Sequence, residues 1–276
     1  MFKFRIIGFI LLMALLGGIF FWSAGGVWLF LAAAPAMVAA AVGECCSMMN
    51  RSGRPAFVMP TALAVWLITV GCCLNFLFPA VRWSILIFAA LLILAGCAGV
   101  LSMKEERMEK LFNSFGAAVL FAPSLILLLG SYFIHPYGSW LIFLCLVTKA
   151  TDTGGYIVGT LTSKLPGGNH KIAPKVSPKK SWEGLIGGML LSVAVSLTFY
   201  YLVSRGISFV WYILAAVVLS LGSFFGDLTE SAVKRLCNIK DSGSFVPGMG
   251  GAFDVLDSFI YNGMLFWPLY FIKDIF

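Results

Sequence analysis

The stretch FVWYILAAVVLSLGSFFGD, residues 209–227, decides the fold. It carries no charged side chain from Phe209 to Gly226 and meets its first acid at Asp227. A run of this length is what about 30 Å of hydrocarbon requires of a helix. Its apolar residues are continuous, without the alternation of a barrel strand, so the run reads as a transmembrane helix. Working outward, comparable runs fall at 6–22, 26–43, 57–78, 83–101, 112–130, 139–159, 185–203 and 254–272. The expected architecture is an all-α, polytopic transmembrane bundle of about nine spans.

Composition agrees. The chain has 276 residues, 60% of them hydrophobic and only 11% charged, and its mean hydropathy is +0.96. Soluble domains carry roughly 25% charged residues to cover their surface. Here lipid must supply the outer solvent. The net charge of +7 does not point to nucleic acid, because the basic residues lie in short segments between the apolar runs. With the N-terminus in the cytoplasm, 15 of the 19 Lys and Arg fall on that side: Lys3, Arg5, Arg51, Arg54, Lys104, Arg107, Lys110, Lys164, Lys171, Lys175, Lys179, Lys180, Lys234, Arg235 and Lys240. Arg82, Arg205 and Lys273 fall opposite, and Lys149 within a span. This is the asymmetry that the positive-inside rule asks for.

The seven cysteines form no CxxC pair and read as small apolar side chains. The basic, apolar N-terminus reads as a retained first span, because another apolar run follows without a clear cleavage site. KEERMEKLF (Lys104–Phe112) mixes charges at helical spacing and reads as a helix extension or interfacial helix. One continuous membrane domain is expected, with N-terminal helices over 1–110 and a catalytic region over 111–276. The compact length and missing targeting extension suggest a bacterial inner membrane.

The twelve acids are informative because they are few. Glu44 reads as the start of a cytoplasmic loop. Asp152, Glu183, Asp227, Glu230, Asp241, Asp254 and Asp257 each lie near the cytoplasmic end of a span. Charge at membrane depth costs about 2.5–3.5 kcal/mol even on insertion scales, so such groups need a partner, a cation or water. Five of these acids fall in GDLTESAVKRLCNIKDSGSFVPGMGGAFDVLDS (Gly226–Ser258). Asp254, Asp257 and Ser258, at i, i+3 and i+4, are expected on one face of the last helix, as are Asp227, Glu230, Ser231, Lys234 and Arg235 on the helix before it. Oxygen ligands without His or Cys favour a hard cation such as magnesium. The glycines of Pro247–Gly251 allow close backbone approach to an anion. Upstream, ATDTGGYIVGTLTSKLPGGNHKIAPKVSPKKSWEG (Ala150–Gly184) holds a stiff, basic loop suited to a polyphosphate, in which His170 reads as a loop residue. Lys149 stands three residues before Asp152, at ion-pair spacing. The glycine pairs Gly155–Gly159, Gly184–Gly188 and Gly222–Gly226 have the spacing of close helix packing.

At these two segments the chain resembles the CDP-diacylglycerol synthases, or phosphatidate cytidylyltransferases. Their signature runs Ser, two residues, Lys-Arg, then Lys-Asp, Pro-Gly-His-Gly-Gly, Asp-Arg and Asp-Ser. This chain has Ser231, Lys234-Arg235, Lys240-Asp241, Pro247-Gly248-Met249-Gly250-Gly251, Asp254-Val255 and Asp257-Ser258. Gly226-Asp227-Leu228 and Glu230 also match. So do Asp152-Thr153-Gly154, Tyr156, Gly159, Lys171, Ser177-Pro178-Lys179-Lys180 and Trp182-Glu183-Gly184. Met249 replaces the usual His and Val255 the usual Arg.

The resemblance implies transfer from CTP to phosphatidate, giving CDP-diacylglycerol and pyrophosphate. Asp227, Asp254 and Asp257 are then expected to hold magnesium, with or without a second cation. Lys234 and Arg235 are expected on phosphate. Asp152, Lys171, Ser177, Lys179, Lys180, Ser231, Lys240, Asp241, Gly248, Gly250 and Gly251 are expected to bind substrate, and a homodimer is among the admissible assemblies. A related enzyme using another lipid phosphate remains an alternative. The Asp-Gly-x-x-Ala-Arg opening of the CDP-alcohol phosphotransferases is absent. An ion or phosphate transporter would place its carboxylates near the midplane of an inverted repeat, and no repeat is visible.

Overall fold

The computed structural model describes residues 17–20, 22, 25–79, 90–91, 105–135, 138–203, 206–239, 242–243 and 250–275. The principal helices are α1 (Gly26–Arg51), α2 (Val58–Leu77), α3 (Glu105–Gly130), α4 (Ser139–Thr162), α5 (Trp182–Leu202), α6 (Phe209–Leu236), α7 (Ala252–Leu256) and α8 (Asn262–Phe271). No β-strand occurs among the described residues; one isolated antiparallel bridge joins Lys171 and Ser181. Seven helical segments among them are long and apolar enough to cross a membrane. The predicted runs at 6–22 and 83–101 lie mainly outside the described residues. Large apolar side chains such as Trp28, Leu190 and Leu202 are exposed, as an integral membrane protein requires of a surface that lipid covers.

The charged stretch after Lys104 is the continuous start of α3, which agrees with the helix extension expected there. Two expectations change in detail. Glu44 lies inside α1, which runs on to Arg51, rather than opening a loop. The last span is broken: α7 ends at Leu256, a tight 3-10 turn covers Asp257–Phe259, and α8 restarts at Asn262. Asp254, Asp257 and Ser258 therefore do not share one face of a continuous helix. The Asp257 carboxylate accepts the Ser258 N–H at 2.5 Å, the local competition with helix bonding at which Asp excels.

The chain forms two compact units, Met1–Tyr137 with Leu236–Leu256, and Gly138–Arg235 with Asp257–Phe276. In the first, the Asn50 side chain closes the α1–α2 turn, donating to the Ala56 carbonyl at 2.9 Å and accepting its N–H at 2.7 Å. α3 pins the same turn: the Asn113 amide donates to the Pro55 carbonyl, and the Ser114 hydroxyl accepts the Phe57 N–H. Phe121 of α3 meets Phe253 of α7 edge to face, 4.9 Å between centroids.

In the second unit α4 crosses α5 on glycine. A Cβ added at Gly154 would lie 2.7 Å from the Gly187 carbonyl oxygen, one at Gly184 3.0 Å from that of Gly155, and one at Gly188 2.5 Å from that of Thr151. Small residues thus admit the backbone contact that drives helix association in lipid. α6 and α8 join through polar contacts: Thr151 with Ser220 at 3.0 Å, Asn262 to Thr148 at 2.7 Å, and the Trp211 indole to the Leu269 carbonyl at 2.8 Å.

Gly188→Val is expected to destabilise the protein by about 1–3 kcal/mol through overpacking at this crossing, read as a lower thermal midpoint in detergent. Gly116→Ala, on an α3 face with open space around it, is expected to leave that midpoint unchanged or raise it.

Candidate active site

The segment between α4 and α5 is a closed ring. Beyond turns at Gly167 and Gly168, the Ile172 N–H donates to the Lys180 carbonyl at 3.2 Å and the Trp182 N–H to the His170 carbonyl at 3.0 Å. Inside the ring, the Ser177 N–H bonds to the Ala173 carbonyl and the Lys180 N–H to that of Ser177. Asn169 ties it back to α4 through the Gly159 carbonyl at 2.8 Å. His170 belongs to this ring, its Nδ1 lying 2.6 Å from Glu183. Four lysines of the loop, Lys171, Lys175, Lys179 and Lys180, are thereby held in register. At the end of the ring Ser181 caps α5, accepting the Gly184 N–H at 3.1 Å.

A cavity of about 440 Å³ opens against this ring within the second unit. Its lining contains six of the residues singled out in the sequence: Asp152, Lys171, Ser177, Lys179, Lys180 and Asp227. Thr151, Gly155, Tyr156, Gly159, Ser181, Gly184 and Phe224 complete much of the wall. The N-terminus of α5 faces the cavity through Ser181 and Gly184, and helix N-termini favour anions. Lys180 pairs with Asp227 at 2.5 Å and sits 4.8 Å above the Phe224 ring. Cationic amines, a helix N-terminus and glycine-lined backbone suit a multiply charged phosphate ligand.

Beside Asp227, the acids Glu230 and Asp257 each bring an oxygen within 4.8 Å of the others. α6 supplies the first two, one turn apart, and the turn after α7 supplies the third. Gly226 makes the approach possible, since a Cβ there would fall on the Asp257 carbonyl. Glu230 is 4% exposed, is ion-paired with Lys234, and Ser231 lies 3.5 Å from Asp227. This oxygen-only donor set fits a hard divalent cation.

Asp152 is fully engaged. Its Oδ1 accepts from Ser223 at 3.0 Å, and its Oδ2 faces Lys149 at 3.0 Å and the Ser258 hydroxyl at 2.8 Å. The Lys149 pair expected from spacing is present. The same Ser258 hydroxyl lies 2.8 Å from Asp257, so one serine links the pocket acid to the acid group. Asp254 is described with the first unit, where its Oδ2 accepts the Gly251 N–H at 2.9 Å and would collide with a Cβ at Gly250. Arg235 is exposed in the last turn of α6. Lys240, Asp241 and Gly248, with Met249, lie outside the described residues.

Sequence reasoning did not place Glu230 in the metal set, nor Thr151, Ser223 and Ser258 among the supporting residues. A signal existed for two of them: Ser223 and Glu230 stand four residues before and three after Asp227, on the same helical face.

The profile of the cytidylyltransferase family matches residues 3–273. A Staphylococcus haemolyticus protein named phosphatidate cytidylyltransferase is 38% identical over 122 residues, covering 44% of this chain and 45% of that protein. A Bacillus subtilis protein of the same name is 35% identical over 129 residues, 46% of each chain. A Staphylococcus aureus protein of that name is 40% identical over 123 residues, 44% of this chain and 45% of its own length. The matched segment thus spans less than half the length of these relatives.

Glu230→Gln is expected to weaken binding of Mn²⁺, used as a paramagnetic probe, by about tenfold or more. Electron paramagnetic resonance titration of the purified protein measures this. Affinity equal to the unsubstituted protein would remove Glu230 from the cation site.

Proposed function

This chain belongs to the cytidylyltransferase family, and we propose that it transfers the cytidylyl group of CTP to phosphatidate, forming CDP-diacylglycerol and pyrophosphate. The observation that carries this reading is one cavity lined by Lys171, Lys179 and Lys180 that shares Asp227 with an oxygen-only acid group.

A phosphate oxygen of phosphatidate attacks the α phosphorus of CTP. The bond to the bridging oxygen of the β phosphate breaks, and pyrophosphate carries away the electron pair. No covalent enzyme nucleophile is needed, so the protein's work is to orient two anions and offset their repulsion. Lys171, Lys179 and Lys180, with Ser177 and the α5 N-terminus, hold the triphosphate. Lys234 and Arg235 contact phosphate, the guanidinium in bidentate fashion. Asp152 orients the acid group through Ser258, and Ser231 supports Asp227. We assign Asp227, Asp254 and Asp257 as magnesium ligands and add Glu230, with a second cation admissible. Magnesium held by these carboxylates would supply positive charge that offsets the repulsion between the two phosphates and stabilises the departing pyrophosphate. On the family motif alone, Lys240, Asp241, Gly248, Gly250 and Gly251 are assigned to substrate binding. The catalytic region is 111–276, and its site faces the cytoplasm of a bacterial inner membrane, where soluble CTP reaches a lipid headgroup.

Purified protein with radiolabelled CTP and phosphatidate is expected to form a labelled lipid only when a divalent cation is present. Asp227→Ala is expected to lower turnover about 100-fold or more. Labelling of a different lipid phosphate in preference to phosphatidate would reassign the acceptor, and full turnover in Asp227→Ala would overturn the metal assignment.

A further inference from the structure

Glu44 is a half-buried carboxylate in an otherwise apolar stretch of α1. It lies seven residues before the end of α1, and Cys45 and Cys46 beside it are 2% and 0% exposed. A carboxylate in such surroundings persists only when specific donors meet it.

Those donors come from a segment some two hundred positions away in the chain. Glu44 Oε2 accepts the Ser242 hydroxyl at 3.1 Å and the Phe253 N–H at 3.0 Å. Phe253 is the second residue of α7, so its N–H is one of the amides that a helix start leaves without an internal partner. Glu44 caps α7 from outside, while Asp254 caps it from within by accepting the Gly251 N–H. Two glycines make room. A Cβ at Gly243 would lie 2.6 Å from Glu44 Oε1, and one at Gly251 would fall on Glu44 Oε2 and the Ser242 hydroxyl. The Phe253 ring is fixed independently against Phe121. Ser242 and Phe253 are each 2% exposed, so both donors are withdrawn from bulk water.

We propose that Glu44 is a positioning residue whose carboxylate clasps Ser242 and Phe253, and thereby sets the orientation of the neighbouring Asp254 carboxylate. The effect on turnover rests on the reaction proposed above; the clasp itself does not. Asp254 follows directly on the amide that Glu44 holds, and its own side chain is folded back on Gly251. Release of Phe253 frees the start of α7 and lets Asp254 rotate away from any ligand it serves.

The test uses the full-length protein in detergent, with hydrogen exchange over residues 250–256 and steady-state kinetics measured side by side. In Glu44→Ala, exchange over 250–256 is expected to rise about tenfold, the order expected when a hydrogen bond to a charged acceptor is lost. Turnover is expected to fall by a similar factor and the Mg²⁺ needed for half-activity to rise, with KM for phosphatidate within about twofold. Glu44→Gln keeps an oxygen for the Phe253 amide and is expected to recover most of both. Ser242→Ala, which removes one bond of the clasp, is expected to move both readouts the same way by less, and decides the matter if Glu44→Ala does not fold. Unchanged exchange in the folded variants overturns the clasp. So does equal damage from Gln and Ala, which would make charge alone the cause. Should the unsubstituted protein make no labelled lipid, the proposed reaction fails while the exchange comparison still judges the clasp.

Discussion

The approach of α4 to α5 is set by backbone atoms, since Gly154, Gly155, Gly184, Gly187 and Gly188 bring no side chain to the crossing. In lipid, where apolar surface gains little by meeting other apolar surface, such contact and a few interhelical hydrogen bonds must do what a hydrophobic core does in water. The crossing fixes where α5 begins relative to Gly159, and the cavity lies at that place. On the same helix Thr148, Thr151 and Asp152, at i, i+3 and i+4, bond to Asn262, Ser220 and Ser223. One glycine contact and one polar stripe on α4 therefore align three helices around the pocket.

The scarcity of acids makes the electrostatics easy to follow. Asp227 meets Lys180, Glu230 meets Lys234, Asp152 meets Lys149, and Glu44 meets a hydroxyl and an amide. Each of these four acids has a named donor, as its desolvation demands. Pairing is also what keeps the lysines at the cavity. An unpaired Lys180 would reach for bulk water, whereas its bond to Asp227 and its place over Phe224 hold the amine at the wall.

The helices were legible from the sequence because hydrophobic length is a local property: α2, α4, α5 and α6 lie over the runs at 57–78, 139–159, 185–203 and 209–227. The lysine loop, too, was legible, since its prolines and charges sit together in the chain. Much of what escaped depended on partners far away in sequence. The break at Asp257 is matched by Gly226 on another helix, which leaves space for the Asp257 carbonyl. Helical spacing alone placed Asp254 and Asp257 on one face. Glu230 joins the acid group because α6 runs straight to Leu236, one turn of the same face being shared with Asp227. Glu44 looked like a loop residue because nothing nearby explains a carboxylate in α1; its explanation begins at Ser242.

The ring between α4 and α5 has an evolutionary consequence. Its closure by Lys171 and Ser181 places the cavity-lining lysines on one side of the bridge and the Lys164–Gly168 turn on the other. Gly167 and Gly168, at φ +94° and +70°, have open space around them. Lengthening a turn there adds only a slowly growing entropy of closure, and the spacing from Lys171 to Lys180 is untouched. Insertions and deletions can accumulate at this tip while the lysine spacing stays constant, so descendants of this chain are free to differ in loop length without differing in register at the cavity.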